Sequence, residues 1–212
     1  DNNISIGYGS LTTDTKGSRS VAIGSGALGT QNFTTATETN NIAIGVNAGL
    51  VITTGVRNTL VGGSSGDSIT DADNNTCVGF NTLITNVLGS KSVAIGSFAL
   101  EAQNPATATD MHNVAVGVSA GGGVTTGIRN TLIGSEAGDA ITTGNNNVAV
   151  GKDALGTNQQ GSANIAIGRL ALGTMNPATA TNTYNTAVGA DAGFAITTGT
   201  HNTLVGGQVG DA

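Results

Sequence analysis

Three aspartates recur every 72 residues in this chain. Asp67, Asp139 and Asp211 each close a Gly-x-x-x-Gly-Asp phrase. Carboxylates repeated in glycine-rich turns are candidate calcium ligands. Calcium takes six to eight oxygens, and one Asp in every four repeats is too thin a supply, so solvated turn residues are expected. His112 and His201 share no motif and are read as surface or turn residues. Cys77 is alone, so no intrachain disulfide can form. Equivalent positions hold Ser5 and Ala149, which makes Cys77 a small apolar filler. The acidic residues are few and scattered, with no pair of the kind glycosidases use. Six aromatics and no Trp argue against a carbohydrate-binding platform. No catalytic residue, metal ligand or cofactor site is assigned.

What orders these residues is a repeat. Twelve copies of a five-residue phrase run through the chain: Asn or Ser, three short residues, then Gly. Examples are Asn41-Ile-Ala-Ile-Gly45, Asn58-Thr-Leu-Val-Gly62 and Asn147-Val-Ala-Val-Gly151. The closing glycines follow one another at 17 or 21 residues, in a pattern that itself repeats every 72. A fixed period of this size marks a solenoid, in which each unit contacts mainly its neighbours. The expected fold is therefore all-β: a parallel β-solenoid, or β-roll, of twelve coils forming a single repeat domain over residues 1–212. Stacked at about 4.8 Å, twelve coils would make a rod of roughly 55–60 Å.

The three residues inside each phrase favour a strand, with the first and third on one face and the second on the other. The third is Val or Ile in all twelve copies, so it is expected to face the coil's own core. The second is Ala in seven copies and Leu only at 60, 132 and 204; its small apolar character suggests burial against a sister chain. Four residues after the closing Gly, Leu and Gly alternate in pairs. Coils with Gly there carry an aliphatic three residues later (Ile52, Ile69, Val124, Ile141, Ile196), whereas those with Leu carry mostly polar residues there (Asp14, Gln31, Asn86, Gln103, Asn158), Met175 excepted. One large plug per coil, supplied from either of two places, implies that both places look into one close-packed core. Gly17, Gly55, Gly89, Gly127, Gly144, Gly161 and Gly199 mark a second corner, where a positive φ is expected. The Asn that opens ten of the twelve phrases should form a stacked, hydrogen-bonded column.

Net charge is −6, and seven Lys and Arg are scattered along the chain. Nucleic-acid binding through a basic patch is thereby excluded. No apolar run is long enough to span a membrane as a helix, and no signal peptide is evident. The chain starts and stops mid-pattern without a polar cap, which suggests a section of a longer polypeptide or fibre.

Ser20-Val-Ala-Ile-Gly-Ser-Gly-Ala and Ser92-Val-Ala-Ile-Gly-Ser-Phe-Ala resemble the head repeats of trimeric autotransporter adhesins. Asn130-Thr-Leu-Ile-Gly and Asn147-Val-Ala-Val-Gly-Lys-Asp-Ala-Leu are similar to repeats of phage tail fibres and related bacterial surface fibres. The resemblance implies a left-handed β-roll in a homotrimer, an extracellular place on a cell surface or virion, adhesion or a shaft role, and no catalysis. A cell-surface receptor or glycan would be the partner. The 21-residue coils add four residues at one place, and insertions in solenoids map to a surface face that often binds. Candidate contact residues are Asn32, Thr34, Thr35, Asn104, Pro105, Thr107, Thr109, Asn176, Pro177, Thr179 and Thr181. The alternatives are that these loops only brace the rod or, for the whole chain, that Thr-rich faces bind ice.

Overall fold

A computed structural model describes residues 2–211. The chain forms two compact units, Asp1–Asp110 and Met111–Ala212. The first holds β1 (Ile4–Ile6), β2 (Gly17–Ser18), β3 (Val21–Ile23), β4 (Thr37–Glu38), β5 (Ile42–Ile44), β6 (Thr59–Val61), β7 (Thr76–Val78), β8 (Gly89–Ser90) and β9 (Val93–Ile95), and ends with β10 (Thr109–Asp110). The second holds β11 (Val114–Val116), β12 (Thr131–Ile133), β13 (Val148–Val150), β14 (Gly161–Ser162), β15 (Ile165–Ile167), β16 (Thr181–Asn182), β17 (Thr186–Val188) and β18 (Thr203–Val205). The three-residue strands are the twelve phrases. In each unit six of them stack in chain order, all parallel and in the register of the repeat: Ile42 opposite Thr59, Thr131 opposite Val148. This is a parallel β-solenoid of twelve coils.

Each strand stops where it does because of the closing Gly. At Gly24 φ is +132°, and a Cβ would stand 2.4 Å from the carbonyl oxygen of Gly45 in the next coil. Both backbone conformation and coil spacing therefore demand glycine. Four residues on, the chain is left-handed whichever residue is present: φ is +58° at Gly49 and +48° at Leu28. A left-handed Leu costs about 1–2 kcal/mol. Burying it returns about 1.5–3 kcal/mol, and Leu28, Leu83, Leu100, Leu155 and Leu172 are completely buried.

The expected compensation between plugs is present. Ile52, Ile69, Val124 and Ile141 are fully buried in the coils that carry Gly. A Cβ on Gly138 would lie 2.7 Å from Leu132 Cδ2 and 2.9 Å from Ile141 Cδ1, so the two plug sites and the middle strand position share one small space. In the Leu coils, Gln31, Asn86, Gln103 and Asn158 at the later site are buried too, and Asp14 is half-buried. Asn158 holds the corner, its amide donating to Gly161 O at 2.9 Å and its Oδ1 accepting from Gly161 N at 2.8 Å. The Asn column links coil to coil. Asn41 Oδ1 accepts from Asn58 N at 2.9 Å, and Asn58 Nδ2 donates to Ala72 O at 2.8 Å. No buried side-chain N or O among the described residues lacks a partner.

Two expectations are corrected. The facing of the strands is the reverse of that read from residue size. Ala22, Ala43, Leu60, Cys77, Ala94, Ala115, Leu132, Ala149, Ala166 and Ala187, all middle residues, are fully buried in the coil itself, whereas the third residues Ile44, Val78, Ile95, Ile133 and Ile167 are 38–39% exposed. The interior is too narrow for a branched aliphatic on every rung as well as a plug, so small residues turn inward. The second correction concerns the corner glycines, none of which has positive φ. They are needed for clearance: a Cβ on Gly144 would stand 2.5 Å from Gly161 O. The left-handed residues at this corner lie two positions later, as at Arg57 and Asn146.

Candidate functional site

Two surfaces are built by the repeat, and neither rests on a single residue. The first is the outward face of the stacked strands. Strand after strand shows the pattern exposed or half-buried, buried, exposed or half-buried, as in Ile42–Ile44, Val114–Val116 and Ile165–Ile167. All twelve third positions are Val or Ile; the first positions are Val or Ile in seven strands and Thr in five. No charged side chain stands in either column. β-branched residues fit the pleat, but an uncharged aliphatic ladder facing outward in rung after rung is unusual for a surface that stays in water. Val46, Phe80 and Val118, each directly after a closing Gly, add exposed apolar area at 52–59%. Phe80 also packs edge-on against Phe98, ring centres 5.7 Å apart. The interface reading of the sequence put the alanines on this face; the structure puts the branched aliphatics there. The missed signal was in the chain: Leu60 and Leu132 occupy the middle position in coils where Gly66 and Gly138 vacate the neighbouring plug site.

The second surface is made by the 21-residue coils. Their four extra residues carry the chain out and back through a short second strand, which pairs with the coil before it: Thr37 opposite Gly17, Thr109 opposite Gly89, Thr181 opposite Gly161. Thr34, Thr35, Thr107 and Thr179 are exposed at the loop tips. Thr109 and Thr181 are half-buried within the added strands. Asn32, Asn104 and Asn176 are exposed, and each Oδ1 accepts a hydrogen bond from the preceding coil, from Thr15 Oγ1, Val87 N and Gln159 N respectively. Pro105 and Pro177 are buried, as is Phe33 at the same place in the first long coil. They anchor the loops, with Pro177 Cγ 3.2 Å from where a Cβ of Gly161 would be. Exposed ion pairs tie the added strands down: Arg19 to Glu38 at 2.7 Å and Lys91 to Asp110 at 2.5 Å.

Cys77 is buried, and burial pushes its thiol well above the ordinary range. His112 and His201 are exposed, and His201 lies over the Tyr184 ring with centres 5.2 Å apart. Burial raises the carboxyl of Asp67 above its ordinary value, and that of Asp139 likewise, there with help from Glu136. No group of three or more His, Cys, Asp or Glu among the described residues could hold a metal ion. No family model, curated protein or solved structure matches the chain.

Proposed function

We propose that the chain is a segment of a homotrimeric extracellular fibre, a structural and adhesive element of a bacterial surface or phage tail that attaches to cells without catalysis. The observation that carries this reading is the uncharged aliphatic face. Its columns repeat at the rung spacing, about 4.8 Å, so the partner that matches it over several rungs is another solenoid of the same period. A second copy of the same chain meets that condition directly. The phrases shared with adhesin heads and tail-fibre repeats support three copies and a place outside the cell. The long-coil loops, with Thr tips held by backbone pairing, then stand as the receptor-facing element.

Sedimentation equilibrium tests it. The expected particle contains three 20.6 kDa chains, and replacing Ile133 and Val150 by Lys releases monomers with an unchanged far-ultraviolet circular dichroism spectrum. A wild-type chain that stays monomeric at tens of micromolar overturns the proposal.

One observation favours a second reading. Thr59, Thr76, Thr131, Thr186 and Thr203 stand on the outward face beside a Val or Ile, and regularly spaced hydroxyl and methyl groups can order water. Ice binding predicts a gap between melting and freezing points, and a thermal-hysteresis measurement separates the two readings.

A further inference from the structure

The fifth residue after each closing Gly forms its own column along the outside of the coils. In four successive coils of the second unit it reads Asp139, Gly156, Gly173, Phe194. The two glycines leave a notch, with a carboxylate at one end and an aromatic ring at the other. A Cβ on Gly156 would stand 3.7 Å from Asp139 Oδ1, and one on Gly173 would stand 3.1 Å from Phe194 Cδ2, so side chains there would fill the space. The cavity measures about 280 Å³ and is completed by Asp153, Leu170, Thr157 and Thr174. That lies just below the usual range for small-molecule pockets, about 300–1,000 Å³, and suits a ligand the size of one sugar ring.

The chemistry of the lining is one-sided. Thr157 donates its hydroxyl proton to Gly173 O at 2.9 Å, and Thr174 donates its own to Phe194 O. What these hydroxyls still offer is lone pairs, and the carboxylates of Asp139 and Asp153 offer only lone pairs when ionised. Every polar side chain lining the notch is thus an acceptor. The cations nearby are already engaged. Lys152 reaches Asp153 at 2.7 Å and Glu136 at 3.3 Å, and Arg169 reaches Asp191 at 2.6 Å. Asp139 has no ion-pair partner among the described residues. Glu136, Asp139, Asp153 and Asp191 outnumber the two cations, so an anionic ligand is repelled.

We propose that this notch binds a protonated amino sugar, a hexosamine with a free ammonium group. The ammonium sits against Asp139 and Asp153. The sugar hydroxyls donate to the two Thr oxygens, and the C–H face of the ring lies on Phe194 and Leu170. A simple alkylammonium has three donors for four acceptor groups, and the sugar's hydroxyls supply the rest. The proposal rests on the adhesive reading above, because it names the kind of surface glycan such a fibre would hold.

Calorimetric titration of the whole chain with glucosamine tests it, with N-acetylglucosamine, glucose and butylamine as comparisons. Saturable binding of glucosamine is expected. Asp139→Asn should weaken it at least about tenfold, the scale of a charge-assisted hydrogen bond. Phe194→Leu should weaken it too, and Asp67→Asn should leave it unchanged. Circular dichroism checks that each variant is folded. No saturable binding, or binding indifferent to Asp139→Asn, overturns the proposal. N-acetylglucosamine binding as tightly overturns the role of charge, and butylamine binding as tightly overturns the sugar. The solution mass separates this from the fibre reading: a trimer that ignores glucosamine sinks only the notch, and a monomer that binds it sinks only the fibre.

Discussion

The stretch from Leu60 to Glu101 and the stretch from Leu132 to Gly173 are the same scaffold with different exteriors. Looking inward they are copies. Leu60 and Leu132, Ile69 and Ile141, Leu83 and Leu155, and Leu100 and Leu172 stand 72 residues apart, and all are fully buried. A Cβ on Gly66 or on Gly138 would meet the neighbouring Leu at 2.8 or 2.7 Å and the neighbouring Ile at 2.9 Å in both. Looking outward they part. The fifth column reads Asp67, Ile84, Glu101 in one and Asp139, Gly156, Gly173 in the other. The core tolerates no change in volume without compensation, whereas an outward position touches less and varies at little cost to the fold. Stability resides in the inner columns, and recognition is free to appear in the outer ones.

The largest expected effects test whether the inner columns are in fact equivalent. Leu60→Ala and Leu132→Ala should each cost about 3 kcal/mol, within the range for buried Leu truncation, and the two should agree to about 1 kcal/mol. Chemical denaturation measures both. A cost below about 1 kcal/mol at one site alone would show that the two stretches do not share a packing scheme. Next in size is the Asn column. Asn130→Ala leaves Asn147 N and Gly144 O without the side chain that now bonds them at 3.0 and 2.9 Å, and about 2 kcal/mol should be lost. Asn58→Ala, which frees Asn75 N and Ala72 O, should cost the same.

A smaller effect sharpens the outward half of the comparison. Ile84→Gly with Glu101→Gly gives the first unit the glycine pair of the second. Ile84 and Glu101 are only half-buried, so about 1 kcal/mol should be lost, mostly as backbone entropy. A loss of 3 kcal/mol or more in denaturation would mean that the outer column braces the coil after all.

How much of this could be read from the chain follows the same division. Period, strand positions, the parallel stack, the Asn column and the exchange of plugs all follow from residue spacing, because each is enforced rung after rung. The facing of the strands is not legible from bulk: in a coil this thin the inside has room for Ala, or for Leu60 and Leu132 where Gly66 and Gly138 make space, and the branched aliphatics go out. The corner glycines suggest a positive φ, but their reason is clearance from the next coil, a constraint between rungs that one coil's sequence does not display. The notch was not legible at all. Its residues are 17 or 21 apart and share no motif. Phe194 counted among too few aromatics to suggest a platform, yet a single ring beside two glycines is enough to wall a pocket.

The smallest effect sets Asp139 against its counterpart in the other stretch. Burial raises both carboxyls, and Asp139 has the added repulsion of Glu136 and Asp153. A carboxyl raised in the folded state is destabilised as an anion, so its stabilising contribution is present at low pH and lost as pH rises through the folded value. At pH 7 the charged form is therefore a burden, and Asp139→Asn should raise the melting temperature, by about 2 °C or less. Below pH about 4, where the unfolded chain is protonated as well, the gain should vanish. Asp67→Asn should show the same sign and a smaller gain, since it lacks the acidic neighbours. Thermal melts at pH 7 and pH 3.5 decide it. A destabilised Asp139→Asn at pH 7 would mean that the carboxylate holds the coil together. The expected result, a more stable protein with a weaker hold on glucosamine, would mean that the charge is kept for a ligand at the expense of the fold.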